Sequence, residues 1–219
     1  MYFITFDGTC EKDKALQMNM LERYLVNNRV TNNVINMVSP GFFKDEISKL
    51  YHHFITSSSI SVMERFFLQL SGRARELEQL LHPSFYERYN LKNSIVLCPH
   101  SPEGIEALYG YGFKIGTTEQ IVPIIARTYQ PVNISLSVVI ESNEERALNS
   151  SALSFKTKDG GLNFYRNVGL GLKSLVKDRQ KVYGRARPFG TFNGMSSTDE
   201  LHNKISQFVV SSLRHGSSS

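Results

Sequence analysis

Two cysteines, Cys10 and Cys98, are all that the 219 residues hold, too few for a disulfide scaffold. No apolar run is long enough to read as a membrane span. No basic-then-apolar leader opens the chain, so secretion is not expected, and cytoplasmic or nuclear residence is. Asn133-Ile134-Ser135 and Asn149-Ser150-Ser151 match glycosylation acceptors, a match without meaning inside the cell. Internal repeats are absent. Neither sign of charge dominates: 25 Lys and Arg against 20 Asp and Glu leave a formal +5 and a pI near 9.2. That balance permits a polyanionic partner without requiring one. What is present is a chain 41% hydrophobic, enough to bury a sizeable core in one domain. That domain is expected over residues 1–214, with 215–219 a disordered tail.

The informative stretch is at the start. Tyr2 to Phe6 is apolar, Asp7-Gly8-Thr9-Cys10 reads as a turn, and Lys14 opens a helix. The layout is that of a phosphate-binding loop, G-x-x-x-x-G-K-[S/T], with Gly8 and Lys14 at the right spacing. Such a loop works because successive backbone N–H groups wrap a phosphate at a helix N-terminus. Here the second Gly is Asp13, whose carboxylate is expected where the phosphate would approach. The hydroxyl residue that ligates Mg²⁺ is Ala15. The loop keeps a charge and loses its cradle.

Apolar periodicity divides the rest. Helices are expected to about Asn27, over Phe43–Phe54, over Met63–Leu81, and in the shorter segments Glu103–Tyr111 and Gln120–Tyr129. Val34–Val38, Ser94–Cys98, Ile134–Ile140 and Pro188–Asn193 read as strands. Ser142 with Glu145, and Ser197 with Glu200, have capping-box spacing for helices that follow. Residues 150–161 read as a polar, mobile, lid-like loop. Tyr165, Val168, Leu172, Leu175 and Val176 share a helical face, as do Leu201, Ile205, Phe208 and Val209. Strands alternating with helices predict an α/β fold with a five-stranded parallel sheet covered on both faces.

The order of these segments resembles the thymidylate kinase family, of the P-loop nucleoside-monophosphate kinase fold. Phe3-Ile4-Thr5-Phe6-Asp7-Gly8 is similar to that family's opening strand. Ser39-Pro40-Gly41 falls where the family carries Arg-Glu-Pro-Gly, and Phe67 to Arg75 resembles its Phe-x-x-x-Arg-Ala helix. Ile95 to Cys98 followed by Tyr109 to Gly112 resembles its Asp-Arg-Tyr region. The resemblance implies a nucleoside pocket at Pro40, Gly41, Gln69, Arg73, Tyr109 and Tyr111. It also implies that several working parts are replaced. The acidic loop residue is Cys10, the acceptor-phosphate Arg is Val38, the aromatic that stacks on thymine is Gln69, and the Asp-Arg pair is Pro99-His100. Lys156 and Lys158 are the only cations of the lid-like segment.

Other constellations point elsewhere. His52-His53 are neighbours on a helix and do not face one another, which argues against a metal site. Cys10 and Cys98 end strands that lie side by side in the resembled fold, so the thiols are expected near each other. Lys173, Lys177, Arg179, Lys181, Arg185 and Arg187, with Asp178 as counter-charge, form a basic run open to nucleic acid or simply to solvent. Phe43, Phe54, Phe66 and Phe67 offer more aromatic area than one core face hides, as a helix-on-helix dimer would use.

The reading that follows is an inactive thymidylate kinase-like protein, acting as a binding or assembly subunit. It assigns no catalytic residue, no metal and no cofactor, with ATP and Mg²⁺ only if the loop is still competent. Its partner is expected to be a second copy or an intact relative, with no membrane. A divergent dTMP kinase using ATP, and a basic nucleic-acid-binding module, stand as alternatives.

Overall fold

Seven residues in a row, Tyr2–Gly8, carry mostly the aromatic and β-branched side chains that suit a pleated surface, and Phe3 to Phe6 are almost wholly shielded from solvent. In the computed structural model, which describes residues 1–38, 60–151, 153, 158–177 and 187–216, this segment is the middle strand, β1. It pairs with β3 (Ile95–Pro99) on one side and β4 (Ile134–Glu141) on the other. β2 (Val34–Asn36) extends the sheet beyond β3, and β5 (Phe189–Asn193) extends it beyond β4. The order is β2-β3-β1-β4-β5 and every pairing is parallel. A strand enclosed by partners on both edges and helices on both faces must be mainly apolar, as β1 is apart from Thr5 and Asp7.

The helices are α1 (Glu11–Asn27), α2 (Val62–Leu81), α3 (Pro83–Arg88), α4 (Pro102–Glu106), α5 (Thr118–Tyr129), α6 (Glu144–Ser150), α7 (Lys158–Lys177) and α8 (Thr198–Gly216). On one face of the sheet, Met18, Leu21 and Leu25 of α1 and Leu201, Ile205 and Val209 of α8 meet Ile4, Phe6, Leu97 and Val138. On the other, Phe66, Leu70 and Leu77 of α2 and Ile121 and Ile125 of α5 meet Phe3, Val96 and Cys98. A third cluster joins Ala147 of α6 to Phe164, Tyr165, Val168, Leu172 and Leu175 of α7. A π-helical turn over Ala107–Gly112 continues α4 and packs on α7. The approach is close: a Cβ on Gly171 would sit 2.5 Å from the Tyr111 ring.

Several local expectations need correction. Asn143, not Ser142, caps α6, its side chain accepting from the Arg146 N–H at 2.8 Å. Asn one residue later serves the same end, which frees Ser142 for a tertiary contact. A capping box at Thr117 and Gln120 starts α5 two residues early, so Pro123 lies inside the helix rather than in its first turn. Lys158 to Gly161 belong to α7, not to a loop, and α8 runs through His215 and Gly216 rather than fraying there. The Phe43–Phe54 helix, His52-His53, Pro40, Gly41 and Lys156 lie outside the described residues.

One polar seam crosses the sheet. Thr5 Oγ1 and Ser137 Oγ are 2.8 Å apart, Arg187 Nε donates to Ser137 Oγ at 2.8 Å, and Arg187 Nη2 donates to Glu103 Oε2 at 2.6 Å. The Arg187 and Glu103 side chains are 6% and 2% exposed. The pair ties the entry to β5 onto α4 through the core. A charge buried this deeply is stable only while paired. Arg187→Met should therefore lose on the order of 3–5 kcal/mol in urea unfolding. Adding Glu103→Leu to that variant should restore most of the loss, because no buried carboxylate is then left alone.

Candidate functional site

The carboxyl ends of β1, β3 and β4 open onto the start of α1, where ligands bind in parallel α/β sheets. Gly8 leaves β1 at φ +148°, and a Cβ there would lie 2.4 Å from the Ile140 carbonyl oxygen. Only glycine fits that turn. The chain then winds into helix sooner than the phosphate-loop pattern requires. Cys10 is the N-cap and α1 begins at Glu11, so the Lys14 N–H already bonds the Cys10 carbonyl, at 3.2 Å. With no glycine at 13, the residues that would form an open nest take helical angles instead. Glu11 and Asp13 suit this, because acidic side chains favour the first turn of a helix.

Lys14 is 1% exposed, and its ammonium is spoken for. Nζ donates to Glu11 Oε1 at 2.7 Å and lies 3.3 Å from His100 Nδ1. His100 Nε2 stands 3.6 Å from Glu11 Oε2. The three groups are consistent with one protonation pattern: a charged Lys, a carboxylate, and a neutral imidazole accepting at Nδ1. Burial, with Lys14 beside it, pushes the His100 pKa down to about 3. Desolvation would raise Glu11, yet the charge and hydrogen bond of Lys14 hold its carboxyl below the ordinary range. His100 adopts φ +67°, a left-handed angle that few non-glycine residues take.

Asp13 finds its partners on another element. Its carboxylate turns toward α6, where Arg146 grips it with two bonds, Nε to Oδ2 at 2.8 Å and Nη2 to Oδ1 at 2.7 Å. Ser142 Oγ donates to Oδ2 at 2.9 Å. Despite desolvation, these donors hold Asp13 below its ordinary pKa. Neither Arg146 nor Ser142 carries a local sequence signal for this role, since the contact spans more than 120 residues.

The remaining candidates are also engaged. Arg73 Nη2 donates to the Pro99 carbonyl at 2.7 Å, and Nη1 pairs with Glu76 at 2.7 Å. Gln69 Oε1 accepts from the Tyr109 hydroxyl at 2.7 Å. Tyr129 donates to the His100 carbonyl at 2.9 Å, fixing the turn after β3. The Asp7 carboxyl accepts from the Ser101 N–H at 2.9 Å, and burial raises its pKa. Val38 ends the first described segment, and Ala15 lies half-buried in α1.

The thiols are both free and serve different surroundings. Cys10 donates to Ser150 Oγ at 3.2 Å, while Cys98 lies among Phe3 and Tyr109 in the core. Burial pushes Cys98 up to about 12, which keeps it a thiol. Of the basic run, Arg187 is buried and paired with Glu103, so it is not part of an open face. Lys173 is exposed beside Glu141 at 3.3 Å. Arg179, Lys181 and Arg185, and the Lys177 side chain, lie outside the described residues. No group of metal-ligand type is gathered among the described residues, and no helix there is long and apolar enough to cross a membrane.

A five-stranded parallel sheet whose central strand leads through a turn into a helix with a lysine in its first turn has a P-loop nucleoside-monophosphate kinase fold. Comparison narrows the class. The chain is 21% identical over 176 residues to thymidylate kinase from Wolbachia sp. subsp. Brugia malayi (strain TRS), covering 80% of each chain. Its structure is similar to that of thymidylate kinase from Ehrlichia chaffeensis, with a TM-score of 0.66, 16% identity, and 95% and 98% of the two chains covered. No protein-family model matches the sequence. Together the likenesses support a relationship to the thymidylate kinase family at low identity.

The electrostatics of His100 set a pH dependence. Below its ordinary pKa of about 6.5 the unfolded chain takes up a proton that the folded site refuses. Stability should therefore fall as pH drops from about 6.5, by up to about 1.4 kcal/mol per pH unit from this group. Glu11 and Asp13 act with the same sign only in the carboxylate range, Asp7 acts with the opposite sign, and His202, also lowered by burial, keeps its share. Asn tolerates the left-handed angle at 100. Urea unfolding at pH 7 and pH 5 should show a shallower loss in His100→Asn than in the parent.

Proposed function

We propose that this chain is a catalytically inactive thymidylate kinase-like protein that serves as a binding or assembly subunit. The observation that carries the reading is Lys14, buried and held 2.7 Å from Glu11 and 3.3 Å from His100. Phosphoryl transfer depends on positioned Lys, Arg and Mg²⁺ that stabilise charge on the transferred group. A lysine whose charge is already met by a carboxylate offers little to a phosphate. Around it, Asp13 pairs with Arg146, Arg73 binds the Pro99 carbonyl and Glu76, and Ala15 has no hydroxyl for a metal. Loss of one preorganised group commonly costs on the order of 10²–10³ in rate, and several are missing together.

Assembly has its own support on α2. Met63 and Phe67, one turn apart, are 44% and 48% exposed, whereas Phe66 is 1% exposed and belongs to the core. Exposed apolar neighbours of this kind mark contact surfaces. Phe43 and Phe54 lie outside the described residues.

A coupled ADP-release assay with Mg²⁺, ATP and excess dTMP should show no turnover above background. A rate on the order of 1 s⁻¹, ordinary for enzymes, would overturn the reading in favour of a divergent dTMP kinase. Light scattering should find a particle of twice 24.9 kDa at micromolar concentration, or a complex with an intact relative. Phe67→Asp should shift that particle toward the monomer mass while leaving the circular dichroism spectrum unchanged.

A further inference from the structure

We infer that the first turn of α1 holds a built-in substitute for bound polyphosphate: the Glu11 and Asp13 carboxylates occupy Lys14 and Arg146 and so keep the site in a filled arrangement without nucleotide. This rests on the reading of the chain as an inactive member of the kinase fold, and it adds how the site is kept closed.

The geometry is specific. Two carboxylates, two residues apart, leave one helical turn toward different cations. Glu11 meets Lys14 at 2.7 Å, and Asp13 meets Arg146 through two parallel bonds at 2.7 and 2.8 Å. All lie in the range of charge-assisted hydrogen bonds. The forked Arg–carboxylate contact is the same one that Arg makes with phosphate. Ser142 adds a hydroxyl to Asp13, and His100 adds a ring nitrogen to Lys14. Arg146 and Ser142 both donate to the Asp13 carboxylate, while Glu11, 56% exposed, meets Lys14 with His100 Nε2 3.6 Å away. The contacts join α1 to α6 through Asp13 and α1 to the turn after β3 through Lys14. A nucleotide in a phosphate loop makes such connections from outside the chain. Here the chain makes them itself, with two positive and two negative groups that cancel. To reach Lys14 or Arg146, an incoming polyphosphate must first displace a carboxylate that cannot diffuse away.

The consequence is that this arrangement of α1, α6 and the β3 turn, and any partner surface that depends on it, is independent of nucleotide. Inorganic triphosphate is the probe, applied to the full chain by calorimetric titration and thermal unfolding. The parent should give no saturable heat and an unchanged melting temperature. The variant Glu11→Gln/Asp13→Asn should melt lower than the parent and then gain on the order of 5 °C at triphosphate near 100 times Kd. Adding Arg146→Gln should remove that gain. If the double variant does not fold, Glu11→Gln alone must bind triphosphate at least about tenfold more tightly than the parent. Triphosphate binding by the parent as tight as by the variant overturns the inference. So does a folded variant blind to triphosphate, or a single variant without the gain. Binding by the parent without turnover overturns only this inference, whereas turnover in the ADP-release assay overturns the inactive reading itself.

Discussion

A lysine ammonium removed from water must be neutralised, and Lys14 is removed almost completely. The rest of the site follows from that constraint. Glu11 supplies the charge from one turn earlier in the same helix, and His100 supplies a lone pair from the turn after β3. The His100 backbone must bend into a left-handed angle to face the lysine, and Tyr129 and Arg73 hold the flanking carbonyls in place. His100 in turn stays neutral because burial disfavours its charged form, and a second positive charge beside Lys14 adds to that. One buried cation thus organises contributions from α1, α2, α5 and the end of β3.

The framework around it asks little of the residues that differ from the phosphate-loop pattern. The sheet is held by parallel ladders and by two apolar layers that use no side chain of Asp13, Ala15 or His100. A fold can therefore persist while its site is rebuilt, which is why fold alone does not carry function. The Tyr109–Gly112 stretch illustrates the point. Its residues match a nucleoside-binding region in sequence. In the structure they pack: Tyr109 is buried against Phe66 and bonds Gln69, and Tyr111 lies over Gly171.

The buried Glu103–Arg187 pair shows the same economy applied to stability. It joins the entry of β5 to α4 across the sheet, with Ser137 accepting from Arg187 and paired in turn with Thr5. An arginine that reads as part of a basic run along the chain is, in space, the structural partner of a core carboxylate. Charge counted along a sequence says how many cations exist, and burial decides how many face the solvent.

The sequence by itself determined the elements and their order. Periodicity in Tyr2–Phe6, Met63–Leu81, Ile134–Ile140 and Leu201–Val209 reports which side is buried, because apolar burial is the main driving force and acts on every residue of an element. The spacing of Gly8 and Lys14 likewise pointed to the turn that leads from β1 into α1. Caps and ends were less legible: Asn143 and Ser142 are both competent caps, and tertiary demand for the Ser142 hydroxyl decided between them. Glu11 stands one turn before Lys14 in the same helix, but the partners of Asp13, Arg187 and Gln69, and the His100 beside Lys14, were not legible. Those contacts join residues from separate elements, so nothing in local composition distinguishes Arg146 from any other arginine on a helix. Only the folding of α6 beside α1, and of β3 beside β1, brought Arg146 to 2.7 Å from Asp13 and His100 to 3.3 Å from Lys14.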